Sequence, residues 1–290
     1  MTLKGIRLFV LVLVALPMLA VSARADTVGI GAAAVYAVLG EAGVTNTGPS
    51  LIYGDVGGSA GTPSVGGVPP GIVVLPAVIL TGSTTAFSNA TTAYTTAQGL
   101  GGAINESGNT LGSLGTLPSL GPGVYQFTSS AYLNGLLILN AGDSNTASWT
   151  FQIGSTLTTA SGSSIEVINA GGNGQFNGSI TWATLSGATL GTTTNFLGTI
   201  ISEAGDVIET GATIGCGRVI SLDASVTLDT NTIVTPATCT VTGATGGTGG
   251  TIGPLPSAVI ATPEPGTLLL LGMGIAGLLG LTQIRRFSRT

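Results

Sequence analysis

One phrase, repeated at a fixed distance, constrains this chain more than any other feature. Val207-Ile208-Glu209-Thr210-Gly211-Ala212-Thr213-Ile214 returns 19 residues later as Val226-Thr227-Leu228-Asp229-Thr230-Asn231-Thr232-Ile233. Gly198-Thr199-Ile200-Ile201-Ser202 likewise returns, again 19 residues on, as Gly217-Arg218-Val219-Ile220-Ser221. A fixed period of about 20 residues with apolar positions in register marks a solenoid, because a single coil cannot bury its own apolar face and stacks on its neighbours. Upstream, Ala188-Thr189-Leu190 aligns with residues 207–209 and 226–228. Four short phrases then line up: Ser161 to Ser164 before Ile165, Thr192 to Asn195 before Phe196, Thr210 to Thr213 before Ile214, and Asp229 to Thr232 before Ile233. Stacked about 4.8 Å apart, such phrases form a ladder of small hydroxyl-bearing side chains.

Composition agrees with a glycine-rich β protein. The chain has 290 residues, 48 of them Gly, and is 43% hydrophobic but only 7% charged. That is too apolar for disorder and too rich in Gly for a helical bundle. Short apolar runs bounded by Gly, Ser, Asn and Asp read as strands: LLIL (136–139), WTFQI (149–153), SIEVI (164–168) and GTII (198–201). One interruption is helical. Phe87, Ala90, Ala93, Tyr94, Ala97 and Leu100 fall at helical spacing, with no Pro and no internal Gly before Gly99. The parity of Val226 and Leu228 against Ile233 places a bend within Asp229-Thr230-Asn231.

Both ends carry processing signals. Lys4 and Arg7 precede an apolar run (8–20), and Ala23-Arg24-Ala25 offers a small-x-small cleavage site, so residues 1–25 read as a signal peptide. Residues 26–240 form the folded domain, and the Gly- and Thr-rich stretch 241–262 reads as a linker. Residues 263–290 hold Pro263-Glu264-Pro265, an apolar run (266–281) close to the length of a membrane span, and the basic Arg285, Arg286 and Arg289.

The charge left after removing both ends excludes several classes. Six of the seven cations lie in the ends, leaving Arg218, while eleven of the twelve acids lie between, for a net charge of −10. Nucleic acid and other polyanions require clustered Lys and Arg, so they are excluded as partners. The sequence contains no His, which removes His-based triads, the commonest general base and the commonest metal ligand. Glu203, Asp206 and Glu209 remain as carboxylates for a glycosidase, set against the plainer reading of a charged solvent face. The reading is therefore a non-enzyme without metal or cofactor. Cys216 and Cys239 are a disulfide candidate in an exported chain. The GIGAAA stretch (29–34) lacks the third Gly and the preceding strand of a dinucleotide loop, and is discounted.

The tripartite tail resembles the PEP-CTERM sorting signal of bacteria that make extracellular polysaccharide. That resemblance implies a precursor transiently anchored in the membrane, cleavage by an exosortase near Pro263-Glu264-Pro265, and a product secreted or left at the cell surface; a plain C-terminal anchor is the alternative. Thr210-Gly211-Ala212-Thr213 resembles the Thr-(Ala/Gly)-x-(Thr/Asn) motif of bacterial and fungal ice-binding proteins. Residues 36–57, 120–127, 151–165 and 226–233 are similar to further signature stretches of that family. The resemblance implies a right-handed discontinuous β-solenoid with one long α-helix packed alongside, acting as a monomer on the ice surface. It places ice contact at Thr192, Thr194, Asn195, Thr210, Thr213, Thr230 and Thr232. Threonine suits the task, since its methyl presents apolar surface, its hydroxyl bonds water, and β-branching restricts χ1. The competing readings are that these residues are corners and strand surface, or that the solenoid is a structural or adhesive protein of the polysaccharide matrix.

Overall fold

The computed structural model describes residues 28–58, 72–74, 76–171 and 177–236. The signal peptide, the linker, the sorting tail with Pro263, Glu264 and Pro265, and Cys239 all lie outside these residues.

Short strands wind into a three-faced solenoid in which the paired strands run parallel. The first sheet stacks Gly123–Phe127, Ser148–Ile153, Ser179–Thr184, the second halves of Asn195–Ser202 and Thr213–Ser221, then Tyr36–Gly40 and Asp55–Gly57. The second sheet stacks Ala131–Leu133, Leu157–Thr159, Ala188–Leu190, Asp206–Ile208, Ser225–Leu228 and Gly43–Asn46. In the third, Leu136–Asn140 and Ser164–Ile168 precede the first halves of the two long strands, followed by Thr232–Val234 and Leu51–Tyr53. The coil formed by residues 36–53 therefore sits on the coil formed by residues 218–234, which makes the solenoid discontinuous in sequence.

Between the third and first sheets the two long strands turn a corner without ending. Gly198 adopts a φ of 102° there and the pairing slips by one residue. On the next coil Gly217 packs so closely that a Cβ would overlap Gly198 O, so both corner positions require Gly.

Alternation sends one side of each strand inward. Tyr125, Phe151 and Trp182 occupy one register position on successive coils, and the Phe151 and Trp182 rings stack at 3.7 Å. Phe196 joins them from the third sheet, 5.1 Å from Trp182. The outer side of the first sheet is covered by the helix Thr84–Gly99, whose Ala86, Phe87, Ala90, Ala93, Tyr94 and Ala97 pack on Leu39, Ala183, Ile201 and Ile220. Small Ala side chains let the helix lie close to the sheet. Gln152, on the outer side of that sheet, donates from Nε2 to Ala97 O (2.9 Å) and Leu100 O (2.8 Å) and so closes the helix C-terminus.

Arg218 is the buried cation of this layer. It donates to Tyr36 O (3.0 Å), Ala34 O (2.7 Å) and Thr199 Oγ1 (3.2 Å), tying the first strand and the short 3-10 turn Gly31–Val35 to the sheet. Burial lowers its pKa to about 10, so it remains charged at neutral pH.

Candidate functional site

A surface site needs a sheet whose outer side is open. The helix occupies the first sheet. On the third, the outer positions Leu197 and Val234 are buried and the half-buried Glu166 carries a charge. The second sheet differs: among the described residues no helix or strand packs on its outer side.

Each strand of the second sheet directs two buried residues inward, at least one of them apolar, and the residue between them outward. The unbroken register therefore produces one outward column, Tyr132, Thr158, Thr189, Val207, Thr227 and Thr45, in stack order. Thr residues fill four of the six rungs. Their hydroxyls make no hydrogen bond to another described residue, so they face solvent uncommitted. Val207 is 41% exposed and Tyr132 42%, each presenting apolar surface in the same line.

The seven residues expected to contact ice from the repeat lie elsewhere, in two ladders around the corner between the second and third sheets. Asn195, Thr213 and Thr232 share one register position on the third sheet, and Thr213 donates to Asn195 Oδ1 (3.1 Å). At the corner, Thr192 donates to Ser161 Oγ (2.9 Å), and the exposed Thr210 and Thr230 both donate to the Asp229 carboxylate. These donors hold the Asp229 pKa below its ordinary value. Gly162, Thr193, Gly211 and Thr230 all take φ between 56° and 73° at the same turn of successive coils. The Gly of the repeated phrase is thus the left-handed residue that makes the corner.

Two expectations are corrected. Thr194 is 0% exposed and its hydroxyl lies 2.8 Å from Thr159 Oγ1, so it cannot touch an external surface. Asp206, expected on a charged solvent face, is 1% exposed and points into the interior. Its Oδ1 accepts from Ala188 N (2.7 Å) and its Oδ2 from Ser202 Oγ (2.7 Å). Burial pushes its pKa up to about 7, against the lowering effect of those two hydrogen bonds.

Thr45, Thr158, Thr189 and Thr227 were missed, although a signal is visible as Thr between two apolar residues in Ala188-Thr189-Leu190 and Val226-Thr227-Leu228. The 19-residue alignment set Val207 opposite Val226, whereas the register sets it opposite Thr227. The turn 222–225 has one residue more than the turn 203–205, and the corner 229–231 has one fewer than 209–212. The overall period survives while the column shifts.

Cys216, on the rim of the third sheet with φ 46°, is disulfide-bonded.

Comparison with known proteins decides the lineage. Residues 38–234 match the family described as Ice-binding-like. The chain belongs to the ice-binding-like family. Its relatives include an ice-binding protein of Nostoc sp. (strain HG1), 38% identical over 93% of this chain and 92% of the relative. Among solved structures, an ice-binding protein of the Antarctic ascomycete Antarctomyces psychrotrophicus is 30% identical, with a TM-score of 0.61 over 72% of this chain and 98% of that one. An ice-binding protein from an Antarctic biological consortium is 31% identical, with a TM-score of 0.64 over 80% of this chain and 96% of that one. Residues 261–286 match the PEP-CTERM protein-sorting motif, which makes this family member an exported protein with a membrane-anchored precursor.

Proposed function

We propose that this chain is an exported ice-binding protein that adsorbs to ice through the outward column of the second sheet. The observation that carries the reading is the line of Thr158, Thr189, Thr227 and Thr45 in one register, with hydroxyls uncommitted to the protein. Methyl groups on a rigid sheet offer apolar surface to an ordered water layer while the hydroxyls join its hydrogen bonds. β-Branching and parallel pairing set the column before contact, so little side-chain entropy is lost on adsorption. Membership of the ice-binding-like family and the names of its relatives support the same activity.

Adsorption makes and breaks no covalent bond, and the reading assigns no catalytic residue, metal or cofactor. One copy presents the whole column, so the acting form is a monomer. In the precursor, residues 1–25 are removed as a signal peptide and an exosortase cuts near Pro263-Glu264-Pro265.

Slow ice-affinity partition of the processed protein, with thermal hysteresis measured on the same sample, tests the reading. Enrichment in the ice fraction and a measurable freezing-point gap are expected. Exclusion from ice together with retention on the exopolysaccharide of the producing cell would transfer the surface to the matrix role.

A further inference from the structure

We propose that Tyr132 sets the length of the contact, so that the ice footprint comprises five rungs, Thr158, Thr189, Val207, Thr227 and Thr45, and ends where Tyr132 begins. The inference rests on the ice-adsorption reading and adds which residues bound the surface and which atoms of it matter.

Tyr132 occupies the same outward position as the five, directly opposite Thr158. Its Cβ projects from the sheet as theirs do, but it carries an aromatic ring where they carry two short branches. At 42% exposure that ring is open to solvent and is the bulkiest side chain of the column. A flat crystal surface laid on the Thr rungs meets the Tyr132 ring first at this end. Beyond it the sheet continues only as a single parallel bridge, Leu111 with Leu133, in which Leu111 N donates to Tyr132 O (2.9 Å) and Asn134 N to Leu111 O (2.8 Å). Leu114, exposed on the turn that follows Leu111 and standing beside Gly135 of the neighbouring coil, adds bulk at this end. Five rungs at about 4.8 Å span roughly 19 Å, and freeing the sixth adds one more step.

Val207 is the complementary case. It stands in register between Thr189 and Thr227 and matches Thr in shape, with a methyl in place of the hydroxyl. The feature shared by all five rungs is therefore the branched γ-methyl, not the hydroxyl. Val207 is a full contact residue on this account, and the methyl column carries the fit.

The test is the lowest protein concentration that still blocks ice recrystallisation, measured for processed wild-type protein and five variants with intact circular dichroism spectra. Tyr132→Thr and Tyr132→Val should each lower that concentration by about twofold or more, because the footprint gains a sixth branched γ-methyl rung. Tyr132→Phe, which keeps the bulk, should match wild type. Val207→Thr should stay within about twofold of wild type and Val207→Ala should weaken inhibition severalfold, since only the latter removes the methyls. No gain from either Tyr132→Thr or Tyr132→Val, or an unaltered Val207→Ala, would overturn the inference while leaving ice adsorption standing. A wild-type protein without inhibition would remove the ice reading and this inference together.

Discussion

At the residue scale, Asp206 departs furthest from what its surroundings in sequence imply. Flanked by Gly205 and the outward Val207, it lies opposite the inward Val226. Ser202 Oγ donates to Asp206 Oδ2 and also lies 2.8 Å from Ala204 O, and one hydroxyl hydrogen cannot serve both. A protonated Asp206 resolves the competition: it donates to Ser202, which then donates to Ala204. The carboxyl pKa rises from 3.8 to about 7, so between those values the folded state holds a proton that the unfolded state has released. The contribution of this carboxyl to stability is therefore full below about pH 4, is lost as pH climbs to about 7, and changes no further above. The loss across that window amounts to a few kcal/mol. Asp206→Asn keeps both hydrogen bonds and cannot ionise. Urea midpoints measured at pH 4, 5.5 and 7 should show wild type losing stability relative to Asp206→Asn as pH rises; parallel pH profiles would contradict the buried, proton-holding carboxyl. Sequence could not place this side chain, because a compensating insertion and deletion at successive corners left the 19-residue period intact while reversing the parity of one strand.

At the element scale, the sequence was far more legible. The helix expected from Phe87, Ala90, Ala93, Tyr94 and Ala97 runs Thr84–Gly99 with those residues buried, and the bend expected within Asp229-Thr230-Asn231 separates Ser225–Leu228 from Thr232–Val234. Periodicity reports which side of an element is buried, and both features depend on that alone. It does not report what satisfies an element's end. The helix C-terminus is closed by Gln152, 52 residues from Leu100, which no local pattern announces. Gln152→Leu leaves two carbonyls without that donor and should cost about 1–3 kcal/mol, read as a lower urea midpoint. Because the helix lies on the first sheet, recrystallisation inhibition in the cold should survive the change. Loss of inhibition with the fold intact would show that the helix side belongs to the contact.

At the scale of the whole molecule, the three sheets have separate roles. The first packs against the helix, the third has Leu197 and Val234 buried on its outer side, and the second carries the column proposed for contact. The solenoid was legible from the repeat, but its discontinuity was not: Val38 pairs with Val219, and so distant a match leaves no periodic mark. The proposed column lies beside the ladder expected from the repeat. The repeated Thr-Gly-Ala-Thr phrase marks the corner with its left-handed Gly211, and on that coil the outward column passes three residues before the phrase, at Val207. Recrystallisation inhibition by Thr189→Tyr against Thr213→Tyr separates the two surfaces most directly. Both residues are partly exposed strand positions, so stability should move by no more than about 0.5 kcal/mol in either. A bulky ring at Thr189 lifts the second sheet off the crystal and should abolish inhibition, whereas Thr213→Tyr on the third sheet should retain it. Inhibition kept by Thr189→Tyr and lost in Thr213→Tyr would contradict the assignment of the second sheet.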